Sequence, residues 1–357
     1  MTRIEAVRMR MSEAGCDAFV SLAPPTNQYL TGFRGTTSAV VITPTEAQFL
    51  CDFRYIEQAS EMVDPAFAIE QLNGSLQSRA GERLESLGVK TAAFEPSYVT
   101  VAELRALRKT FSRELKEVDD IVLAGRRVKD ATEVEAVRAA QALAESVLEE
   151  VTGQLHVGQT EQEVAALFEY GFRRRGATGP SFDTIALFGS RTSLPHGQPG
   201  PAVLREKDII LLDFGCRLDG YCSDLTRTYA FGSIPDLWFE EIYHLTLTAQ
   251  RKALESLKPG MRGRDVDAIA RTAIDEGGHG KHFGHGLGHG VGIEIHEGPR
   301  LNVESDTVLQ PGMVVTIEPG IYLPGLGGVR IEDLVVVTES GCENLTTAPK
   351  ELRVLGT

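Results

Sequence analysis

The sequence lacks a surplus of positive charge: 36 Lys and Arg residues stand against 50 Asp and Glu residues, which gives a net charge of −14 at pH 7. Nonspecific nucleic-acid binding and docking on an anionic membrane surface both depend on Lys and Arg side chains. We therefore expect neither nucleic acid nor a membrane among the partners of this chain. No run of 18 uninterrupted apolar residues occurs either, so no transmembrane helix is predicted.

Cysteine is scarce, and its spacing does not indicate disulfides. The five cysteines are scattered, their number is odd, and none forms a CxxC pair. This usage is typical of a reducing compartment. The N-terminal residues carry a charge every few positions and form no apolar signal-peptide core. We expect a cytoplasmic protein in which Cys216 and Cys222 are packing residues.

The composition that remains, 42% hydrophobic and 24% charged, is typical of a globular protein. A chain of 357 residues usually exceeds what one hydrophobic core serves, so two domains are expected. The sequence pattern changes near residues 121–130. We place the boundary so that the domains comprise residues 1–123 and 124–357.

The first domain alternates strand and helix patterns. Alternation of this kind predicts a small α/β domain with a parallel or mixed sheet. The predicted helices cover 3–15 and 75–88, and the predicted strands cover 17–22, 38–43, 47–52 and 90–95.

The second domain begins with helices that carry clear start signals. Asp130 precedes Glu133 by three residues, which is a capping-box pattern and predicts a helix that runs to about residue 152. Thr160 and Glu163 repeat the pattern at the start of a second helix. A third helix is predicted over 237–257.

Two hairpin-like units follow, and each has acidic residues inside apolar strands. The first unit has strands 208–216 and 221–231 around the turn pair Asp219-Gly220, a preferred sequence for a tight hairpin. The second has strands 313–320 and 329–338, joined by a loop rich in glycine and proline. The repetition indicates a degenerate internal duplication.

The acidic residues of these strands are unusual because a buried carboxylate is unfavourable unless it is paired or binds a metal. An edge position or a salt bridge would explain a single such residue. Four of them in two hairpins favour a cation site. They are Asp213, Asp224, Glu318 and Glu332.

The turn pair fixes the expected geometry of the first hairpin. Residues equidistant from Asp219-Gly220 face each other, so Asp213 lies opposite Thr226. Asp224 is then a diagonal neighbour of Asp213 on the same face of the sheet. Diagonal neighbours lie roughly 7–8 Å apart, a separation that suits two carboxylates around one or two cations.

Five of the eight histidines lie between residues 279 and 296, interleaved with glycine: His279, His282, His285, His289 and His296. The glycines disfavour a helix, so His285 and His289 are not a helical zinc pair. A flexible Gly/His loop is the alternative to a binding site. Carboxylates and imidazole without a thiolate suit Mn²⁺, Co²⁺ or Zn²⁺. Four carboxylates can hold two metals about 3.5 Å apart, as in aminopeptidases.

With these motifs, residues 124–357 resemble the pita-bread metallopeptidases, the group of methionine aminopeptidase, aminopeptidase P and prolidase. Residues 1–123 resemble the N-terminal domain of the aminopeptidase P and prolidase branch. The resemblance implies an α+β fold: a C-terminal pita-bread (creatinase/aminopeptidase-like) domain and a smaller, creatinase-like N-terminal α/β domain. It rests on the segments Leu-Asp213-Phe-Gly, Ser-Asp224-Leu-Thr-Arg-Thr, Gly-His289-Gly-Val-Gly, Thr-Ile-Glu318-Pro-Gly and Val-Arg-Ile-Glu332-Asp.

The resemblance also implies roles for individual residues. Two divalent ions are expected, with Mn²⁺ preferred over Co²⁺ or Zn²⁺, and Asp224 and Glu332 would bridge them. His196 and His296 would contact substrate and the tetrahedral intermediate, and His285 and Arg330 would support the site. The implied metal ligands are Asp213, Asp224, His289, Glu318 and Glu332. Glu318 is also the expected proton shuttle.

Three features resemble the proline-specific branch: the Arg-Ile-Glu332-Asp context, the Leu-Pro-His196 segment and the additional N-terminal domain. The expected reaction is hydrolysis of the peptide bond before proline. Phe182 and Ile295 are candidates for an apolar pocket around the prolyl ring, with core packing as the alternative for each.

Arg300 bears on the choice between a dipeptidase and an aminopeptidase. It matches an arginine of prolidases, and a guanidinium suits the C-terminal carboxylate of a dipeptide. A surface arginine is the alternative reading. We therefore favour an Xaa-Pro dipeptidase (prolidase) that acts on proline-containing dipeptides or short peptides. An aminopeptidase P for longer peptides and a noncatalytic peptide-binding protein are the alternatives. The branch commonly forms homodimers, so a homodimer is expected.

Overall fold

The computed structural model describes residues 1–356, which fold as two compact units, Met1–Arg126 and the chain from Arg127 onward. Two short 3₁₀ helices cover Gly189–Ser193 and Gly280–His282. The α-helices are α1 (Arg3–Glu13), α2 (Pro24–Thr31), α3 (Ile56–Met62), α4 (Leu76–Ser86), α5 (Val101–Thr110), α6 (Asp120–Arg127), α7 (Ala131–Thr152), α8 (Glu161–Arg174), α9 (Leu237–Ser256) and α10 (Gly263–Glu276). Within residues 1–356, none of them is long and apolar enough to cross a bilayer.

Twenty strands accompany the helices within residues 1–356. They are β1 (Ala18–Ser21), β2 (Ala39–Ile42), β3 (Ala47–Asp52), β4 (Ala68–Leu72), β5 (Thr91–Phe94), β6 (Glu114–Glu117), β7 (Gly179–Pro180), β8 (Ile185–Phe188), β9 (Ile209–Phe214), β10 (Cys216–Leu218), β11 (Tyr221–Cys222), β12 (Leu225–Phe231), β13 (Gly288–Gly290), β14 (Glu297–Leu301), β15 (Val314–Ile317), β16 (Gly320–Leu323), β17 (Gly327–Arg330), β18 (Asp333–Val337), β19 (Cys342–Asn344) and β20 (Val354–Leu355).

The first unit contains one mixed sheet of six strands in the order β4-β3-β2-β1-β5-β6. Alternate residues of β1 face opposite sides of this sheet, as the period of a strand requires. Phe19 packs with Val7 and Met11 of α1 on one side, and Val20 packs with Leu84 of α4 on the other. The two predicted helices and four predicted strands are present. Helices α2, α3, α5 and α6 and the edge strands β4 and β6 were not predicted.

The second unit contains four sheets, with orders β11-β10-β7, β20-β12-β9-β8, β14-β13-β15-β18-β19 and β16-β17. Helices α7 and α8 cover one side of β9, where Ile210 and Leu212 join their apolar cluster. Helices α9 and α10 belong to a second cluster, which includes Val315 and Val335 of the five-stranded sheet. The predicted capping boxes at the starts of α7 and α8 are both formed.

The first hairpin has the predicted register. Leu218 pairs with Tyr221 around the turn, and Thr226 pairs with Asp213 farther along the strands. Asp219 and Gly220 have φ values of 50° and 84°, as a tight two-residue hairpin turn requires. The register therefore places Asp213 beside Thr226, two residues from Asp224.

The prediction of continuous strands was wrong for both hairpins. The strand predicted over 221–231 divides into β11 and β12, and the strands predicted over 313–320 and 329–338 divide into β15 with β16 and β17 with β18. At each break the chain leaves one sheet and enters another. The breaks in these three strands contain Asp224, Glu318 and Glu332.

The local sequence explains why the strands end at these breaks and how closely neighbouring segments of the chain approach there. Pro319 follows Glu318 and has no N–H group with which to continue a ladder. At Gly215, which separates β9 from β10, a Cβ atom would lie 1.9 Å from the carbonyl oxygen of Ser223. A side chain at position 215 would therefore push away the segment that places Asp224.

A buried ion pair joins the two hairpins close to the acidic residues. Arg227 of β12 and Asp333 of β18 have 1% side-chain exposure each, and their Nη2 and Oδ1 atoms are 2.8 Å apart. Arg227 also donates to the carbonyl oxygens of Thr226, Glu332, Ala348 and Pro349.

Asp333 accepts further hydrogen bonds, from Gln250 at 2.8 Å, from Asn344 at 2.9 Å and from Lys350 at 2.5 Å. Burial raises the pKa of Asp333, but the charges of Arg227 and Lys350 outweigh burial and hold this pKa below its usual value. The pair is thus fully hydrogen-bonded and ionised.

Removing one member of this pair should destabilise the protein strongly. Arg227→Met leaves Asp333 buried next to unsatisfied carbonyl groups, and we expect a loss of about 3–5 kcal/mol in the free energy of unfolding. Urea unfolding followed by circular dichroism measures the loss.

Arg138→Gln is the matched control, because Arg138 pairs with Glu343 at a side-chain exposure of 34% and 54%. A surface pair of this kind should contribute less than about 1 kcal/mol. Equal losses in the two variants would contradict the role of the buried pair.

Candidate metal centre and active site

The four acidic residues and one histidine converge in the second unit. Each is placed by a different strand, three of them at a strand break. Asp213 lies near the end of β9, Asp224 just before β12, His289 in β13, Glu318 just after β15 and Glu332 just before β18.

Three of the carboxylates form a compact group. One oxygen each from Asp213, Asp224 and Glu332 lies within 4.8 Å of the others, and all three residues are buried. Thr226 donates to Glu332 at 2.8 Å, and the backbone N–H of Glu332 donates to the carbonyl oxygen of Thr226. These bonds hold the acid of the second hairpin against the first.

His289 brings the fourth carboxylate, Glu318, to the group. Its Nε2 atom lies 3.5 Å from Asp224 Oδ2 and 3.3 Å from Glu318 Oε1. Its Nδ1 atom lies 3.1 Å from the carbonyl oxygen of Gly290. Burial lowers the pKa of His289 to about 3, so the ring is neutral. With Nδ1–H donating to Gly290, a lone pair on Nε2 points towards two carboxylates.

Three carboxylates of the group, those of Asp224, Glu318 and Glu332, resist ionisation. Burial and the charges of neighbouring acids raise the pKa of Asp224 and of Glu332 well above their usual values. Burial raises the pKa of Glu318 to about 7. The nearby guanidinium of Arg330 offsets only part of this repulsion.

This donor set fits bound cations. Asp213 Oδ1 is buried and has no hydrogen-bond partner, and the Nε2 lone pair of His289 faces carboxylates rather than a donor. A cation removes both conflicts at once, and oxygen ligands with one imidazole suit Mn²⁺, Co²⁺ or Zn²⁺. The residues available to hold such ions are the five predicted from the sequence.

A buried hydrogen-bond chain supports the group from one side. Arg330 donates to Asp213 Oδ2 at 2.5 Å, to Thr226 at 3.1 Å and to the hydroxyl of Tyr322 at 2.7 Å. That hydroxyl lies 2.9 Å from His285 Nε2, and His285 Nδ1 lies 2.8 Å from the carbonyl oxygen of Gly286.

Burial lowers the pKa of His285 to about 4, so this ring is neutral too. Its Nδ1–H then donates to Gly286, and its Nε2 accepts from Tyr322. Arg330, Tyr322 and His285 therefore form a chain with a single direction of donation.

The group opens into a cleft of about 480 Å³. The cleft contains every predicted site residue except Ile295. Its lining residues are Phe182, Ile185, Pro195, His196, Asp213, Asp224, His285, Gly286, Gly288, His289, His296, Arg300, Asn302, Glu318, Arg330 and Glu332. The rings of His289 and His296 meet edge to face, with centroids 4.4 Å apart.

Ile295 has a different environment from the one expected of a pocket residue. It is half-buried and packs against the apolar cluster that includes Val291 and Leu345. Ile185 of β8 lines the cleft instead and lies near Phe182 in the sequence. Ile185 was not predicted, because an isoleucine at the start of a strand has the pattern of a core residue.

The segment that carries His296 is fixed from outside the cleft. Arg217 donates to the carbonyl oxygen of Ile293 at 2.7 Å, and Lys129 Nζ lies 2.7 Å from Glu297 Oε1. The Lys129–Glu297 pair is buried, with side-chain exposures of 1% and 7%. The backbone on both sides of His296 is thus held by cationic side chains.

Without metal, the contribution of Glu318 to the stability of the protein should fall as the pH rises. The pKa of Glu318 is raised from 4.5 to about 7, so the folded state binds this proton more tightly than the unfolded state. The contribution of this proton to the free energy of unfolding is present below pH 4.5. It is lost as the pH rises through about 7, a change on the order of 3 kcal/mol. Urea unfolding of chelator-treated protein at pH 5 and pH 8 measures the loss.

Two controls accompany this measurement. Saturating Mn²⁺ should reduce or reverse the loss, because bound cations compensate the ionised carboxylates. The free energy of unfolding of the metal-free wild type minus that of metal-free Glu318→Gln should be lower at pH 8 than at pH 5, and this difference cancels the opposite pH dependence of the buried neutral histidines. A difference that is equal at the two pH values, or larger at pH 8, would contradict this description of the group.

Comparisons with known proteins agree with this geometry. Residues 135–339 match metallopeptidase family M24, and residues 3–128 match the creatinase/prolidase N-terminal domain. An Xaa-Pro dipeptidase of Pyrococcus horikoshii is 36% identical over 344 residues, which cover 96% of each chain.

Solved structures give the same result. An Xaa-Pro dipeptidase from Bacillus anthracis is 40% identical, with a TM-score of 0.95 and 99% of both chains covered. An X-Pro aminopeptidase from Thermotoga maritima is 38% identical, with a TM-score of 0.90, and the match covers 97% of this chain and 100% of that one. The predicted α+β pita-bread fold is thereby confirmed. The chain belongs to metallopeptidase family M24, whose members depend on two metal ions, and it is a metal-dependent hydrolase.

Proposed function

We propose that this protein is an Xaa-Pro dipeptidase that hydrolyses the peptide bond before proline. The observation that carries the proposal is the position of Arg300. It pairs directly with His289 across strands β13 and β14, and it lines the cleft. Among residues 1–356 its guanidinium has no hydrogen bond or ion pair. An exposed, unpaired cation beside the acidic group suits the C-terminal carboxylate of a dipeptide.

The relatives support the reaction and leave two subclasses. The Pyrococcus horikoshii and Bacillus anthracis proteins are described as Xaa-Pro dipeptidases, and the Thermotoga maritima protein as an X-Pro aminopeptidase. All three match nearly the whole chain at similar identity. An aminopeptidase that acts on longer Xaa-Pro peptides is therefore the second candidate, and the difference between the two lies in the use of Arg300.

The metal ions of the proposed enzyme are two Mn²⁺ ions, with Co²⁺ or Zn²⁺ as alternatives. Their ligands would be Asp213, Asp224, His289, Glu318 and Glu332. When bound, two such ions supply a water of lowered pKa and polarise the carbonyl group of the scissile bond.

The side chains around the group would perform the remaining tasks. Glu318 has the highest side-chain exposure in the group, 17% against 13% for Asp213 and 6% for Asp224. It is therefore the carboxylate best placed to pass a proton to the leaving prolyl nitrogen. His296 would stabilise the developing oxyanion, and His196 would orient the substrate.

Phe182 and Ile185 would form the apolar wall against which the prolyl ring packs. Both line the cleft with the two histidines. Arg330, Tyr322 and His285 would hold Asp213 and the floor of the cleft in place. Proton exchange is not expected at His285, which stays neutral above about pH 4, or at Tyr322, whose pKa burial raises to about 12.

The proposal includes a cellular setting and an assembly. All five cysteines are free thiols, four of them buried, which suits a reducing cytoplasm. A homodimer is proposed because that assembly is common in the proline-specific branch.

Comparing Ala-Pro with Ala-Pro-Ala tests the subclass. With added Mn²⁺, the protein should hydrolyse the dipeptide with a kcat/KM at least about tenfold above that of the tripeptide, because only the dipeptide presents its carboxylate to Arg300. Chromatography measures the release of proline from Ala-Pro and the release of Pro-Ala from Ala-Pro-Ala. Clear preference for the tripeptide would contradict the dipeptidase assignment.

Arg300→Ala is the matched variant for this comparison. It should raise KM for Ala-Pro and leave the slow cleavage of Ala-Pro-Ala nearly unchanged. Equal losses on both substrates would mean that Arg300 does not select the dipeptide.

A further inference from the structure

The loop that carries His196 is held at both ends by one buried carboxylate outside the cleft. Glu161 Oε1 accepts from the backbone N–H of Phe188 at 2.9 Å, where the loop begins. Glu161 Oε2 accepts from the backbone N–H of Gly200 at 2.8 Å, where it ends. The side chain of Glu161 has 0% exposure. One carboxylate therefore closes a loop of twelve positions, 189–200.

Arg191 binds the same carboxylate from inside the loop. Its Nε atom lies 3.0 Å from both oxygens of Glu161, and its Nη2 donates to the carbonyl oxygen of Gln198 at 2.7 Å. Arg191 thus connects the first half of the loop to the second through its own guanidinium. All these bonds involve a charged group, which makes each stronger than a bond between neutral groups.

The position of Glu161 is itself fixed. It is the first residue of α8, after the Thr160 cap, and its backbone N–H donates to the carbonyl oxygen of Ala202. Thr160 also bridges to Val203. The start of a rigid helix and the end of the loop are therefore joined, and the carboxylate has little freedom to move.

The inner edge of the loop reaches the metal centre. Thr192 Oγ1 accepts from the backbone N–H of Gly328 at 2.9 Å, and the carbonyl oxygen of Pro195 accepts from Arg330 Nη1 at 3.3 Å. His196 follows Pro195 and is exposed in the cleft. The backbone that carries this histidine is held by Glu161 on the outside and by Arg330 on the inside.

We propose that Glu161 and Arg191 are positioning residues that set the location of His196 relative to the metal centre. Neither residue touches the cleft; each acts through the backbone of the loop. The inference rests on the proposed function, in which His196 contacts the substrate. It adds a specific claim, that an exposed histidine on an irregular loop is pre-organised by a buried carboxylate.

Glu161→Gln tests the anchoring. An amide in place of the carboxylate removes the charge and turns one acceptor into a donor that faces a backbone N–H group. Hydrogen–deuterium exchange of the metal-loaded protein should show faster exchange in residues 189–200. Glu163→Gln is the matched control, because Glu163 is exposed and bonds only the Thr160 cap. Equal exchange in residues 189–200 of both variants would overturn the proposal, whatever the substrate proves to be.

Arg191→Gln provides a second variant if Glu161→Gln folds poorly. Arg191 is half-exposed, so this change leaves the core intact, and Glu161 keeps its two backbone partners. It should produce a smaller increase in exchange over the same residues. No increase with Arg191→Gln would show that Arg191 does not hold the loop.

A double-mutant cycle with His196→Ala links the anchor to the reaction. Misplacing a contacting group by about 1 Å can lower a rate by up to about a hundredfold, so Glu161→Gln should lower kcat/KM for Ala-Pro by at least about tenfold. In the His196→Ala background the same change should have less than about a twofold effect. The fall in melting temperature caused by Glu161→Gln should be the same in both backgrounds, and metal content should stay the same.

Each result of the cycle decides a separate point. Additive losses would overturn the link between Glu161 and His196 and leave the proposed function standing. Wild-type protein that hydrolyses no Xaa-Pro peptide with any metal would overturn the proposed function. In that case the exchange measurement still decides whether Glu161 holds the loop.

Discussion

Mutual repulsion among four carboxylates, three of them buried and one half-buried, is the constraint around which the second unit is built. Asp213, Asp224, Glu318 and Glu332 lie together with one guanidinium and one neutral imidazole close by. A folded chain tolerates such a group only when cations occupy it or when protons do. The raised pKa values of Asp224, Glu318 and Glu332 correspond to stabilisation by protons. Bound cations stabilise the group better, because they also contact the unpartnered oxygen of Asp213.

The surrounding structure meets this constraint with positively charged side chains and ion pairs. Arg330 contacts the group itself, and the Arg227–Asp333 pair lies directly behind it, where it fixes the backbone of Glu332. Farther out, Glu161 with Arg191 and Lys129 with Glu297 fix the two segments that carry His196 and His296. The cleft is thus held by charged groups that are paired and mostly buried, while His196, His296 and Arg300, which are proposed to meet substrate, stay exposed.

Much of this arrangement could be predicted from the sequence, because its signals are local. The Asp219-Gly220 turn determines the register of the first hairpin, and that register places Asp213 opposite Thr226, two residues from Asp224. The capping boxes at Asp130 and Thr160 mark the starts of α7 and α8 to the residue. The four acidic residues were recognisable because carboxylates are rare inside apolar strands.

Other features depend on contacts that no local pattern reveals. The strand breaks were missed because hydrophobicity is unchanged across Pro319 and Ile331; only the packing of one sheet beside another separates the two halves. Tyr322 has the pattern of a core aromatic residue, and its hydroxyl gains a role from Arg330 and His285. Glu161 resembles an ordinary first-turn acid until the loop that ends at Gly200 folds over it.

Metal content tests the central claim most directly. Elemental analysis of protein loaded with Mn²⁺ and then freed of excess metal should give two ions per chain in the wild type. It should give at most one in Asp224→Asn, with no change in Glu343→Gln, an equivalent substitution at an exposed acid. Wild-type protein without bound metal, or an Asp224→Asn variant that keeps both ions, would contradict the account.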